Sequence, residues 1–588
     1  QNPYWIAYRN LRLNNKKRYM ASAGLSYQIL DWLNVAGRVR IDNTHSEYEG
    51  KLYASSSNTL TDGSSQGHYT VNNGQYSQTY ADVLVNINKR IQDFTIVANI
   101  GASYSGVTSK ELGYAGPIRE TGIPNLFNVY DLDNAKKRAT QVGWREATES
   151  IFASAEVGWK SMLYLTVTGR NDWASQLTHS PQASFFYPSV GLSAVITEML
   201  KLPDWVDYLK VRGSFSSVGN PYPRFLTYPT YSYDANKQDW KSQTNYPIGK
   251  LYPERTDSWE VGLDATLFKD FKLSGSFYYA NTYNQTFDPR LPVSSGYDKL
   301  YVQTGYVRNY GFEAMLSYGH RWGDFSWDSS FTFSANKNEI VELVKDYVHP
   351  ETGKTYNVDK LELKTDEGRG FGKAKFILKE GGTLGDLYTH ADLKRDINGN
   401  ILIDDSGNVT AIDNAGDIKL GSVLPKANLA WNNSFSYKGI NAGFLLTARL
   451  GGIVYSATQA YLDLYGVSET SAAARDAGGV WINGRSRVNP QSFYEVVASQ
   501  SGLPTYYTYS ATNLRLQEAH IGYTVPRRWL GNVCDINVSL VGRNLWMIYC
   551  KAPFDPEAVA TTNNYYQGID YFMMPSTRNI GFNIKINF

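Results

Sequence analysis

The sequence predicts an all-β protein, a transmembrane antiparallel β-barrel. Three observations carry that prediction. No stretch of the 588 residues approaches the ~18 consecutive apolar side chains that a membrane helix needs. Many segments alternate apolar and polar residues with period two, the mark of a strand whose faces meet different surroundings. The connections between these segments alternate too, short then long, as they do in a barrel with turns at one rim and loops at the other.

The alternation is clearest in three places. In Phe271 to Tyr279 one face reads Phe271, Leu273, Gly275, Phe277, Tyr279 and the other Lys272, Ser274, Ser276, Tyr278. Ile536, Val538 and Leu540 oppose Asn537, Ser539 and Arg543. Ile580, Phe582, Ile584, Ile586 and Phe588 oppose Asn583, Lys585 and Asn587, so the chain closes on a terminal aromatic, Phe588. Extending the rule gives about seventeen strands, at 17–30, 32–48, 78–91, 94–108, 144–159, 162–173, 186–198, 207–218, 256–268, 271–285, 306–319, 324–336, 425–437, 440–455, 512–525, 533–546 and 576–588. With the apolar face toward lipid, Lys272, Ser274, Asn537, Arg543, Asn583 and Lys585 face a wet lumen.

The short links are Asp31, Gln92-Asp93, Lys160-Ser161, Lys269-Asp270, His320 to Gly323 and Lys438-Gly439. The long ones are 49–77, 109–143, 219–255, 337–424 and 456–511. Counting back from Phe588 places the C-terminus on the periplasmic side and the long loops outside the cell. Helices between these segments would contradict this fold. An odd strand count leaves open edges, and unpaired backbone groups in lipid cost on the order of tens of kcal/mol per edge. Residues 1–588 are therefore expected to be an incomplete wall, about seventeen strands of a barrel of about 22, whose largest loops are 337–424 and 456–511. Gln1 opens without a basic or apolar leader, so a signal peptide is expected to have been removed or the start to be internal.

Charged residues make up 19% and aromatics 14%, and Lys+Arg 57 nearly balances Asp+Glu 55. That balance argues against a nucleic-acid partner. Cys534 and Cys550 are read as two thiols, because one extended strand between them separates them by on the order of 50 Å. Catalytic signatures such as G-x-S-x-G, H-E-x-x-H, a P-loop or C-x-x-C are absent, and no enzyme is expected.

Several motifs, weak singly, gain weight from their order. They are Tyr187-Pro188-Ser189-Val190-Gly191, Leu209-Lys210-Val211-Arg212-Gly213-Ser214-Phe215, Val218-Gly219-Asn220, Leu251-Tyr252-Pro253-Glu254-Arg255-Thr256 and Glu260-Val261-Gly262-Leu263-Asp264. Asn309-Tyr310-Gly311-Phe312-Glu313, Asn513-Leu514-Arg515-Leu516, Arg543-Asn544-Leu545 and Phe554-Asp555-Pro556-Glu557 follow. This series resembles the SusC/RagA family of TonB-dependent outer-membrane transporters, over at least 187–588. The resemblance implies a multi-pass protein of the Gram-negative, Bacteroidetes-type outer membrane. It also implies energy-coupled import of an oligosaccharide or oligopeptide, a SusD-like surface lipoprotein as lid, and TonB coupling through an N-terminal plug segment that this chain does not show. The alternatives are a passive porin, which the long loop 337–424 speaks against, and a siderophore-type TonB receptor.

Candidate substrate contacts are the loop aromatics Trp481, Tyr506, Tyr507, Tyr565 and Tyr566, for which loop packing, lid contacts and the outer girdle are the competing roles. Asp396, Asn398 and Asn400 suggest a structural calcium site. As an EF-hand the run fails, with Ile401 in place of the position-six Gly and Gly407 in place of the final Glu, so a turn-rich loop is the main expectation. Otherwise no cofactor is expected. Arg527, Arg528 and Trp529 sit in a predicted periplasmic turn, where interfacial anchoring is the default.

Overall fold

The computed structural model describes residues 3–226, 231–234, 239–241, 245–246, 251–287, 299–300, 302–348, 353, 355–363, 372–560 and 567–587. Seventeen strands form one antiparallel sheet. They are β1 (Asn10–Leu30), β2 (Leu33–Tyr53), β3 (Gly67–Ile91), β4 (Phe94–Pro117), β5 (Arg138–Trp159), β6 (Leu163–Ala174), β7 (Ser184–Val195), β8 (Val206–Asn220) and β9 (Glu254–Leu267). They continue with β10 (Phe271–Phe287), β11 (Val302–Trp322), β12 (Phe325–Glu342), β13 (Ala427–Tyr437), β14 (Ile440–Leu450), β15 (Asn513–Val525), β16 (Asp535–Cys550) and β17 (Asn579–Asn587). Every strand read from alternation is present. No helix among the described residues is long and apolar enough to cross a membrane.

The short links are tight hairpins. Lys160 and Ser161, Phe268 and Lys269, and Lys438 and Gly439 all take positive φ, as a two-residue turn matched to strand twist requires. His320, read as part of a link, instead pairs with Trp327, and the turn contracts to Gly323-Asp324.

The chain forms two compact units, residues 1–191, 216–255 and 290–300, and residues 192–215, 256–289 and 301–588. In the first, β1 to β5 run for 21, 21, 25, 24 and 22 residues, well beyond the ~9–11 that cross a bilayer. Their register explains the excess. On one face Val35, Gly37, Val39 and Ile41 of β2 meet Val85, Val83, Ala81 and Thr79 of β3. The same face then turns polar, with Asn43 opposite Ser77, His45 opposite Gln75 and Glu47 opposite Asn73. The other face there carries Thr44, Ser46, Tyr48, Asn72 and Tyr76. The ladder thus continues where hydrophobic alternation stops, because backbone pairing needs no lipid on either side. The predicted loop 49–77 contracts to 54–66, and 109–143 to 118–137. At the short-turn end Lys89 lies 4.7 Å over Trp32 and Lys160 5.4 Å over Trp159, an aromatic and cationic rim suited to lipid headgroups.

In the second unit the register lines up one apolar row across six strands, Leu273, Leu316, Phe331, Trp431, Leu446 and Leu516. Indole N–H groups on this face need acceptors that hydrocarbon lacks. Trp431 Nε1 donates to Ser329 Oγ (3.0 Å) and Trp327 Nε1 to Asn433 Oδ1 (3.1 Å). At the short-turn end Trp205 stacks on Phe268 (5.6 Å), Trp322 on Phe325 (5.9 Å), and Lys438 covers Tyr437. Arg527 to Leu530 form a single 3-10 turn with Trp529 exposed, in the connection where the sequence placed them.

The long connections of this unit fold. Lys360–Leu363, Ala374–Lys379, Asp386–Thr389 and Ile418–Ser422 make a four-stranded sheet. Three helices, Ala457–Leu464, Glu469–Asp476 and Pro490–Val497, were not foreseen. Their start signals are ordinary: Ser456, Ser468 and Asn489 each cap an N-terminus, the last before a proline. They overturn the expectation that no helix lies between these segments, but not the fold: they decorate a loop, and β14 and β15, which flank them, still pair antiparallel.

Candidate functional site

Two networks and a concavity on the polar face of the second unit, among its described residues, join the sequence motifs. The first network begins with Arg212 on β8. Its Nη1 donates to Asp264 Oδ2 (2.7 Å) and its Nη2 to Glu260 Oε1 (3.3 Å). Ser274 Oγ donates to the other oxygen of Asp264 (2.6 Å). Period two puts Glu260, Gly262 and Asp264 on one face of β9. A Cβ on Gly262 would lie 2.5 Å from Arg212 Cζ, so the glycine is the floor on which the guanidinium rests.

The second network joins three motifs distant in sequence. Arg515, only 5% exposed, donates from Nη2 to Asp555 Oδ1 (2.7 Å) and from Nη1 to Asn544 Oδ1 (3.0 Å). Glu557 Oε2 stands 3.2 Å from the same Nη2. Asn544 takes a positive φ at a register shift between β15 and β16, a conformation asparagine tolerates. Burial works against ionisation of Asp555, but Arg515, the Glu557 N–H and Ser576 hold its carboxyl below the usual carboxylate range. A buried guanidinium needs such partners, because an unpaired charge there is heavily penalised.

Between the networks lies a concavity of about 620 Å3, lined among others by Arg212, Ser274, Glu313, Ser334, Arg449 and Glu557. Arg449 donates from Nη2 to the carbonyl of Val423 (2.7 Å), which ties the end of the 343–426 connection to the wall.

The folded loops contain the candidate aromatics. Tyr507 is 2% exposed, and its hydroxyl donates to Asp463 Oδ2 (3.0 Å). Asp463 also accepts from Gln459 (3.3 Å) and from Ser468. Tyr507 therefore packs in the loop core beside Phe376, Leu387 and Tyr455, and its ring is closed to a passing solute. Burial, with Asp463 beside it, pushes its phenol well above the ordinary range. Tyr506 is half-buried and packs against two such clusters, with Phe493 6.1 Å away. Trp481 stays 55% exposed on the hairpin Val480–Ile482 and Ser486–Val488, with Arg487 4.5 Å over its ring. The three aromatics thus have different surroundings and do not share one surface. Tyr565, Tyr566 and Phe588 lie outside the described residues.

The calcium-like run consists of turns. Asp396 Oδ1 accepts from the backbone N–H of Asn398 and Asn400 (both 2.8 Å), and Oδ2 from the Asn400 amide (3.0 Å). The arrangement repeats eight residues on, where Asp404 Oδ1 accepts from Ser406 (2.9 Å) and Asn408 (2.8 Å). Gly399 and Gly407 supply the positive φ of each turn. Among the described residues no three His, Cys, Asp or Glu side chains gather as metal donors. Cys534 and Cys550 are free thiols at the two ends of β16.

The sequence motifs had named Arg212, Glu260, Asp264, Arg515, Asn544, Asp555 and Glu557 without showing that they meet. Same-face spacing around Gly262 could have suggested the first network. Nothing local could have suggested the second, whose members are brought together by pairing of β15 with β16 and by the returning 551–578 connection.

Comparison with known proteins agrees with this architecture. The family model described as TonB dependent receptor-like, beta-barrel matches residues 1–545. TonB-dependent receptor P3 of Formosa agariphila is 23% identical across 99% of this chain and 59% of its own length. TonB-dependent receptor SusC of Bacteroides thetaiotaomicron is 24% identical across 68% of this chain and 40% of its own. Among solved structures, the RagAB peptide transporter superposes with a TM-score of 0.74 at 17% identity, covering 100% of this chain and 63% of that one. The chain thus spans less than two thirds of the length of these relatives. It belongs to the TonB-dependent receptor-like β-barrel family of outer-membrane receptors and transporters.

Proposed function

We propose that this chain is the larger part of the wall of an importer that uses TonB-transmitted force to bring an oligosaccharide or oligopeptide across the outer membrane. A SusD-like surface lipoprotein would cover the long-loop end, which faces outward in this reading. A plug, and the strands that complete the wall, would lie in the part of the relatives that this chain does not cover. The observation that carries the reading is the pairing of a polar-lined concavity with loops folded around buried cores of their own. A diffusion pore needs a wide wet path and gains nothing from a built roof. A trapping importer needs both a wettable wall and an ordered mouth. SusC and RagAB as relatives support the same reading. Force is required because a plugged barrel blocks diffusion and the outer membrane has no ATP.

The test is uptake of labelled oligopeptides and oligosaccharides by cells carrying the full-length transporter, with TonB present or deleted. Uptake that disappears without TonB is expected. Uptake that persists without it would replace the importer with a passive channel.

A further inference from the structure

Six polar-face residues form a single cross-strand row in the second unit. Ser276 pairs with Glu313, Glu313 with Ser334, Ser334 with Asn428, Asn428 with Arg449, and Arg449 with Asn513. All six line the same concavity. The row carries a carboxylate at Glu313, a guanidinium at Arg449, and neutral hydrogen-bonding side chains between them. Each step is one strand spacing, so the two charged positions lie on one line across the strands, roughly 14 Å apart at ~4.8 Å per step.

Among the described residues neither charge is closed in an ion pair, although Glu557 in the same lining attracts Arg449 at longer range. The Nε of Arg449 is buried without an acceptor. Glu557, the carboxylate nearest in the lining, is engaged by Arg515. A cation and an anion held apart with donors and acceptors between them match a molecule with the opposite charges at its two ends. The lining contains no Tyr or Trp, and its one aromatic residue, Phe333, alternates with Ser334 and so turns its ring to the other face, which leaves no ring on this face for a sugar to stack on.

We propose that this row is a seat for a short zwitterionic peptide, Arg449 taking the terminal carboxylate and Glu313 the terminal ammonium. An extended chain of about four residues spans that distance at ~3.3–3.6 Å per residue. Ser334 and Asn428 then face its peptide groups. A guanidinium binds a carboxylate through paired N–H donors, which makes Arg449 the stronger of the two anchors. The proposal rests on the import reading and names its substrate class.

The experiment uses the full-length transporter purified from outer membranes and titrated calorimetrically with three probes: tetra-alanine with free termini, its C-terminal amide and its N-acetyl form. Each capped form is expected to bind roughly tenfold more weakly than the free peptide. Arg449→Gln should erase the preference for the free carboxylate while keeping that for the free ammonium, and Glu313→Gln should do the reverse. Glu313 is exposed, so its variant tests the seat even if Arg449→Gln fails to fold. Equal binding of free and capped peptides overturns the seat. So do preferences that survive both substitutions, and so does occupation of Arg449 by a carboxylate from another segment of the full-length protein, which would leave capping without effect. Should TonB-dependent uptake persist while capping has no effect, the seat is wrong and the importer stands; should uptake of every peptide and oligosaccharide prove independent of TonB, the importer itself is wrong.

Discussion

The two units treat surplus chain in different ways. In the first, residues between the apolar stretches lengthen the strands, so β3 reaches 25 residues and the loop before it shrinks to 54–66. In the second, β13 and β14 stop at 11 residues each, and the surplus folds into a sheet and three helices. The difference follows from side-chain content. Residues 43–49 and 72–77 offer polar groups on both faces and, apart from the rings of Tyr48 and Tyr76, little apolar surface to bury. Residues 374–388 and 453–507 supply Phe376, Ile377, Leu378, Leu387, Tyr455, Phe493 and Val497, all nearly inaccessible. Enough apolar surface makes a loop fold on itself; too little leaves it to extend a strand.

The largest predicted effect sharpens this contrast. Phe376→Ala should cost about 3–5 kcal/mol within the loop core. It should expose 372–424 and 451–512 to trypsin while the strand wall stays intact. Gln75→Ala, on the polar extension of β3, should change stability by less than about 0.5 kcal/mol. Equal protease resistance of the two variants would mean that the loops have no core of their own.

Arg515→Met should rank close behind, at about 3–5 kcal/mol, because it strands Asp555 without its buried partner. Released 551–578 chain, read by hydrogen exchange, is the expected sign, and unchanged protection would contradict it. Gly262→Ala should cost about 1–3 kcal/mol, since the methyl group meets the Arg212 guanidinium. Denaturant unfolding of this variant beside Arg212→Met tests whether both disrupt the same contact, in which case their effects do not add.

Acid should loosen the loops next. Asp417 is held below the ordinary carboxylate range first by Lys360, 2.5 Å away, with His390 at 2.9 Å adding to it. Asp555 lies low for the reasons given above. A folded value below the unfolded one, about 3.9 for Asp, contributes stability above that pH and loses it as pH falls through the folded value. Loop melting temperatures should therefore hold from pH 6 to about pH 4 and fall below it. A decline complete by pH 5 would point to other groups. Asp396→Ala should have the smallest effect, faster exchange confined to the Asn398 and Asn400 amides.

Much of this was legible in the sequence. Each strand could be read because lipid on one side and polar surroundings on the other impose period two, as in Phe271 to Tyr279. The upper halves of β1 to β5 could not, because Asn43 and Thr44 are both polar and the period vanishes while the pairing continues. The helices after Ser456 were hidden by their short length, though Ser456 and Gln459 have the spacing of a capping box. Tyr507 is a substrate-contact candidate only by its place in a loop, and its burial in a loop core favours the competing role of loop packing. The motifs gave Arg212 and Arg515 their names but not their partners, since a partner across strands depends on register.

If the strands line an outer-membrane wall, their apolar face meets lipid and their polar face meets water. Single nitroxide labels at 272 through 279 of β10 in the full-length transporter, reconstituted in bilayers, test it most directly. Oxygen accessibility should peak at 273 and 277, and accessibility to a water-soluble nickel complex at 272, 274 and 276. Labels at 43 through 48 of β2 should show no oxygen peak on either face. Two accessibilities that rise and fall together along β10, or an oxygen peak at 274, would contradict the account.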